Sequence, residues 1–187
     1  MPDPARFTSQ DAESRENQAQ YEAMIEAINI RRDPDSNTVL VVDDELGIRR
    51  FVKRGIQKND RSILVFEAEN GQDALDKLAE IRANYRRDPL FIVCDLNMPV
   101  MDGWTFIDTL HKAYKEEGKK SGIPIIVLSS TSGEKGMAFF RKSVLGDKHK
   151  YKPLISVAKE ACMEPAKFDA QGEKGLMAWI KHFMRTP

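Results

Sequence analysis

The residues best suited to chemistry stand directly after short apolar runs of the sequence. Asp43 and Asp44 follow one run, Asp95 follows a second, and Ser129 follows a third. Lys152 follows the last and shortest of the predicted strands. If these runs are parallel strands, their carboxyl ends share one edge of the sheet, and the five side chains converge there.

Such an edge would suit a cation and a phosphoryl group. Neighbouring strands lie about 4.8 Å apart, so Asp44 and Asp95 can share one cation if the first strand lies between the second and the third. Carboxylate oxygens with retained water are what Mg²⁺ prefers. An aspartate can also act as a nucleophile and form an aspartyl-phosphate, while a metal and Lys152 stabilise the charge of the transferring group.

Apolar runs alternate along the chain with stretches in which apolar residues recur at helical spacing. This alternation predicts crossover units and a parallel sheet. The runs are almost wholly apolar, as strands are when helices cover both faces of a sheet. We therefore predict an α/β fold with a doubly wound, five-stranded parallel sheet. Its strands are expected at 38–45, 62–69, 89–95, 123–130 and 149–151.

Two parts of the chain lie outside this alternation. Residues 1–37 are predicted to be an N-terminal helical extension and linker, with one helix over 8–31 whose apolar stripe includes Met24 and Ile28. That stripe is too short to stabilise an isolated helix, so we expect it to dock on the basic C-terminal part or on a second copy. The main domain is expected over 38–187, with an insertion near 156–171 before a last helix.

Composition narrows the function classes. Lys plus Arg equals Asp plus Glu at 29 each, so the net charge gives no reason to expect nucleic acid or an anionic membrane as partner. Residues 1–37 nevertheless carry a net charge of −4 and residues 111–187 a net charge of +7. The first residues lack the apolar core of a secretory signal, and no apolar run approaches the ~20 residues of a membrane span. A cytoplasmic protein is expected.

The order VLVVDDE, CDLNMPVMDGW, IIVLSS, YKP resembles the receiver domain of two-component response regulators, with its flavodoxin-like fold. The resemblance implies Asp95 as phospho-acceptor, and Mg²⁺ bound by Asp44, Asp95 and the backbone carbonyl of Asn97, with Asp43 acting through water. It further implies a switch hydroxyl at Ser129 and a phosphate-contacting Lys152. His149 stands where the family usually has Tyr or Phe, and is a candidate switch residue.

The resemblance implies a stand-alone, chemotaxis-regulator-like switch that is not itself an enzyme. A histidine kinase or phosphotransfer protein would donate the phosphoryl group, and the altered surface would change partner binding. No DNA-binding module is expected after the domain, and a homodimer is one expected assembly. Two alternatives stay open: a scaffold that takes no phosphate, and an aspartyl-phosphate phosphatase. The phosphatase chemistry calls for Asp-x-Asp after the first strand, whereas Asp43 and Asp44 are adjacent.

Overall fold

Five parallel strands form one sheet in the order β2-β1-β3-β4-β5. The computed structural model describes residues 19, 22–129, 151 and 153–159, with only the backbone at Ser129 and Ala158. The strands are β1 (Thr38–Val42), β2 (Leu64–Ala68), β3 (Ile92–Asp95), β4 (Ile125–Ser129) and β5 (Leu154–Ala158). The predicted doubly wound sheet is confirmed, and β1 lies between β2 and β3 as the shared cation site required.

Alternate residues of each strand enter two separate cores. Leu40 and Val42 of β1 belong to the core beneath helices α3 (Gly71–Tyr85) and α4 (Gly103–Glu116). Val39 and Val41 belong to the core beneath α2 (Leu46–Asn59). All five residues of β1 are buried, because both of its faces are covered by helices. Because the whole strand is buried, its carboxyl end has a fixed position at the edge of the sheet. The acidic pair Asp43 and Asp44 follows directly at that edge.

Local sequence signals set where the helices begin. Asn70 caps α3 by accepting a hydrogen bond from the Asp73 amide at 3.0 Å, and Asp102 caps α4 by accepting from the Thr105 amide at 2.7 Å. Each cap satisfies an amide that has no partner within its helix. Within the described ranges, no helix is long and apolar enough to cross a bilayer.

The fifth strand differs from the prediction. The sequence was expected to form a strand at 149–151 and an insertion near 156–171, whereas β5 covers Leu154–Ala158 and pairs with β4 over five residues. Leu154, Ile155 and Val157 supply the apolar side chains of this strand. The predicted strand was therefore wrong, and the start of the predicted insertion is part of the sheet. The predicted helices at 134–146 and 175–184 lie outside the described residues.

The N-terminal helix, α1, is described over residues 22–31 and shares the core of the sheet. Met24 is 0% exposed and Ile28 is 1% exposed, and both pack in the cluster that contains residues of β1, β3, β4 and β5. The Arg31 guanidinium donates a hydrogen bond to the Gly122 carbonyl at 2.8 Å. The expected docking therefore occurs within the chain. Its target is the face of the sheet rather than a second copy.

Candidate phosphoryl-acceptor site

Three carboxylates meet at the carboxyl edge of the sheet. Oxygens of Asp43, Asp44 and Asp95 all lie within 4.8 Å of one another. Asp43 and Asp95 are buried, at 0% and 2% exposure, while Asp44 is exposed. The β1–β3 pairing brings the two strand ends together, because Val42 lies opposite Cys94. One side of the cluster is thus dry, and the other opens to solvent.

Asp43 is held by its own turn. Its Oδ1 accepts a hydrogen bond from the Glu45 amide at 2.8 Å, and its carbonyl accepts one from the Arg49 guanidinium at 2.6 Å. Burial raises the pKa of Asp43 from 3.8 to about 6, although the Glu45 amide and Lys159 both favour the ionised form. The buried Oδ2 receives no hydrogen bond of good geometry from the described residues. The turn therefore presents a buried carboxylate oxygen to the Lys159 ammonium, which lies 3.1 Å away.

Lys159, directly after β5, supplies one positive charge to this cluster. Its Nζ lies 2.8 Å from Glu45 Oε1, 3.0 Å from Asp95 Oδ2 and 3.1 Å from Asp43 Oδ2. Its side chain is 11% exposed. Burial lowers the pKa of Lys159, but hydrogen bonds to these three carboxylates outweigh burial and raise it. The ammonium group is therefore positively charged at neutral pH and adjoins the carboxylate of Asp95.

The loop after Asp95 is shaped by close backbone contacts. Asp95 Oδ1 accepts a hydrogen bond from the Leu96 amide at 2.7 Å. A Cβ at Gly103 would overlap the Asp95 carbonyl oxygen, so only glycine permits α4 to begin there. The loop turns at Val100, whose φ of 67° lies in the left-handed region. These contacts fix the direction of the Asp95 carboxylate.

Residues 39–143 match the response regulator receiver domain family. The chain belongs to this family. It is 43% identical over 101 residues to a protein-glutamate methylesterase/protein-glutamine glutaminase of Clostridium acetobutylicum, covering 54% of this chain and 26% of the relative. It is also 36% identical over 94 residues to the transcriptional regulatory protein YdfI of Bacillus subtilis, covering 50% of this chain and 38% of that protein.

A solved two-component response regulator from Cytophaga hutchinsonii has the same fold, with a TM-score of 0.50 and 20% identity. The structural match covers 73% of this receiver chain and 98% of the Cytophaga hutchinsonii chain. The first methylesterase relatives are much longer proteins, of which this chain spans about a quarter. The methylesterase and transcriptional activities in the relatives' names thus belong to proteins that this receiver matches only in part.

The structure brings together Asp43, Asp44 and Asp95 as the sequence predicted. Asn97 follows in the loop, where its amide lies 3.4 Å from Asp95 Oδ1. Ser129 ends β4 beside Ala158 of β5, at the same edge.

Among the residues that the structure describes, the lysine at this edge is Lys159. Lys152 was assigned from an expected strand at 149–151 and from the resemblance of Tyr151-Lys152-Pro153 to the family, but β5 begins at Leu154, after Lys152 in the chain. The expected strand end therefore does not support this assignment, which stays a prediction from the resemblance. Lys152 itself and His149 lie outside the described residues. The apolar segment LISVA, which ends directly before Lys159, was the sequence signal for β5 and for the lysine that follows it.

Sequence reasoning also missed two neighbours of the acidic pair. Glu45 contributes a carboxylate to Lys159. Arg49 binds the Asp43 carbonyl and lies 4.0 Å from Glu67 of β2. Both follow the acidic pair closely in sequence, and the first turn of α2 carries them back towards it. In the sequence, Glu45 and Arg49 look like ordinary charged surface residues, because glutamate and arginine are common on helix surfaces.

Proposed function

We propose that this receiver is a stand-alone phosphorylation switch that accepts a phosphoryl group on Asp95. The observation that carries the proposal is the contact of Lys159 with Asp95 inside the cluster of three carboxylates. Asp95 offers a carboxylate nucleophile, and Lys159 offers a point charge suited to the oxygens of a phosphoryl group. A bond from an Asp95 oxygen to phosphorus would form as the bond from phosphorus to the donor breaks.

The acidic cluster fits Mg²⁺. All three donors are carboxylates, the ligand type that this ion prefers, and Lys159 supplies only one positive charge to them. Asp44 and Asp95 would hold the ion, with the Asn97 carbonyl as a further ligand and Asp43 acting through water. The ion would supply charge neutralisation for the transferred phosphoryl group.

The donor would be a phosphohistidine on a histidine kinase or phosphotransfer protein. Phosphorylation would then change the surface that a downstream partner binds, with the Ser129 hydroxyl contacting the phosphoryl group. We propose a cytoplasmic location, where such donors present their phosphohistidine. The protein would work as a switch rather than as an enzyme.

The direct test is to weigh the intact protein after incubation with Mg²⁺ and acetyl phosphate. The wild type should gain one phosphoryl group, and Asp95→Asn should gain none because it keeps the shape but loses the nucleophile. Asp108→Asn, a half-buried acid on α4 that pairs with Lys112, is the matched control and should behave as the wild type. Omission of Mg²⁺ or the substitution Asp44→Ala should abolish the gain.

Other outcomes would favour the alternatives. Steady hydrolysis of a phosphoester without a stable mass gain would indicate an aspartyl-phosphate phosphatase. Neither a mass gain nor turnover would indicate a scaffold. A full mass gain in Asp95→Asn would remove Asp95 as the acceptor.

A further inference from the structure

A strongly basic surface covers the second half of α2, at the far end of that helix from Asp95. No acidic residue occurs in Leu46–Asn59. Arg54, Gln57, Lys58 and Arg61 line a shallow groove of about 440 Å³, which we call the basic groove. Arg50 lies on the same outward face, one turn before Arg54. This concentration of positive charge contrasts with a chain whose net charge is zero.

The fold uses only the other basic residues of α2. Lys53 Nζ lies 2.6 Å from Glu67 Oε2, and Arg49 also adjoins Glu67. Among the described residues, by contrast, Arg54, Lys58 and Arg61 form no ion pair. The nearest acid in sequence, Asp60, already accepts hydrogen bonds from the amide and hydroxyl of Ser62, at 2.9 and 2.6 Å.

The like charges repel one another. Arg50 and Arg54, and Arg54 and Lys58, are four residues apart on one helix face, and such pairs destabilise a helix by roughly 0.2–0.5 kcal/mol each. The helix dipole favours cations only in the last turn, which accounts for Lys58 but not for Arg54. The groove therefore carries exposed positive charge that the fold leaves uncompensated.

The chemistry of the groove favours an acidic protein segment over other anions. No aromatic side chain lines it, so it offers no platform on which nucleic acid bases could stack. No apolar side chain lines it either, so nothing would insert into a lipid surface. Guanidinium groups instead bind carboxylates through paired hydrogen bonds, and the groove offers two of them.

We propose that the basic groove docks an acidic segment of a partner protein, rich in Asp and Glu. The site goes beyond phosphoryl acceptance and does not depend on it. About ten residues of helix separate Leu46, beside the acidic edge, from the middle of the groove, which corresponds to ~15 Å. A partner could therefore be held at one end of α2 while the carboxylate edge stays open.

The test measures binding of a fluorescent peptide in which Glu alternates with Ser, by anisotropy at low salt. A Gln–Ser peptide, a short DNA duplex and vesicles containing phosphatidylserine are the other probes. The triple variant Arg54→Gln, Lys58→Gln, Arg61→Gln should bind the Glu peptide about tenfold more weakly (~1.4 kcal/mol). Raising the salt from about 0.1 to 1 M should abolish binding, because the Debye length falls from ~10 to ~3 Å.

The matched control removes the same charge elsewhere. The triple variant Lys112→Gln, Lys115→Gln, Lys120→Gln on and after α4 should bind the Glu peptide as the wild type does. Equal losses in the two triple variants would reduce the effect to net charge and overturn the proposal. Absence of Glu-peptide binding, or tighter binding to DNA or vesicles than to the Glu peptide, would also overturn it. Circular dichroism would check that both variants fold.

Discussion

Replacing Asp43 with Asn should stabilise the metal-free protein at neutral pH. Burial raises the pKa of Asp43 from 3.8 to about 6, so its ionised form is less favourable in the folded state than in the unfolded chain. At 1.36 kcal/mol per pH unit, this rise corresponds to roughly 3 kcal/mol. Asn keeps the oxygen that accepts from Glu45 but faces Lys159 with an amide, so the expected gain is about 1–3 kcal/mol.

The pH dependence follows from the sign of the pKa change. Between about pH 4 and 6 the folded protein binds more protons at Asp43 than the unfolded chain does. The contribution of Asp43 to the stability of the wild type should therefore be fully present below pH 3.8 and be lost as the pH rises through about 6. The advantage of Asp43→Asn should grow over the same interval and be constant above it.

The assay is urea unfolding in EDTA at a series of pH values, with the free energy of unfolding compared between variants. Asp44→Asn is the matched control, since Asp44 is exposed and its replacement should change stability by less than about 0.5 kcal/mol. Added Mg²⁺ should stabilise the wild type through mass action and have a smaller effect on Asp43→Asn. A destabilised Asp43→Asn protein at neutral pH would refute the reasoning, because Asp43 would then stabilise the fold.

Four further substitutions test other parts of the structure. Lys159→Met should destabilise the metal-free protein by about 3 kcal/mol at pH 7, and by less at pH 4, because it leaves buried carboxylates without their cation. An equal loss of stability at both pH values in urea unfolding would contradict this. Met24→Ala should cost about 2–5 kcal/mol in urea unfolding if α1 is part of the core, and an unchanged midpoint would contradict the docking. Gly103→Ala should cost about 1–3 kcal/mol by overlap with Asp95, and should slow acetyl phosphate labelling; normal stability and labelling would show that the loop adapts. Val100→Gly should raise stability by about 1 kcal/mol by relieving a left-handed valine, and a lower melting temperature would disprove strain there.

Local patterns predicted the sheet and its acidic pair, because β1 and β3 are strongly apolar and end in aspartates. The fifth strand was misplaced because two short segments, 149–151 and Leu154–Ala158, are each followed by a lysine, and either could have been the last strand. The choice between the two segments depends on which of them pairs with β4. That pairing begins at Ile125 and Leu154, which are far apart in the sequence. The target of α1 was likewise beyond local patterns, since Met24 shows only that an apolar face must be buried, not where.

The contact between Arg31 and Gly122 has a consequence for synthesis on the ribosome. The two residues are 91 positions apart, and translation at 5–20 residues per second takes roughly 5–20 s to cover that distance. Both segments pass through the same exit tunnel, so the apolar stripe of α1 emerges about that much earlier than the carbonyl that Arg31 binds. Met24 and Ile28 therefore cannot complete their packing before β4 and β5 have emerged, although their helix is made before every strand of the sheet.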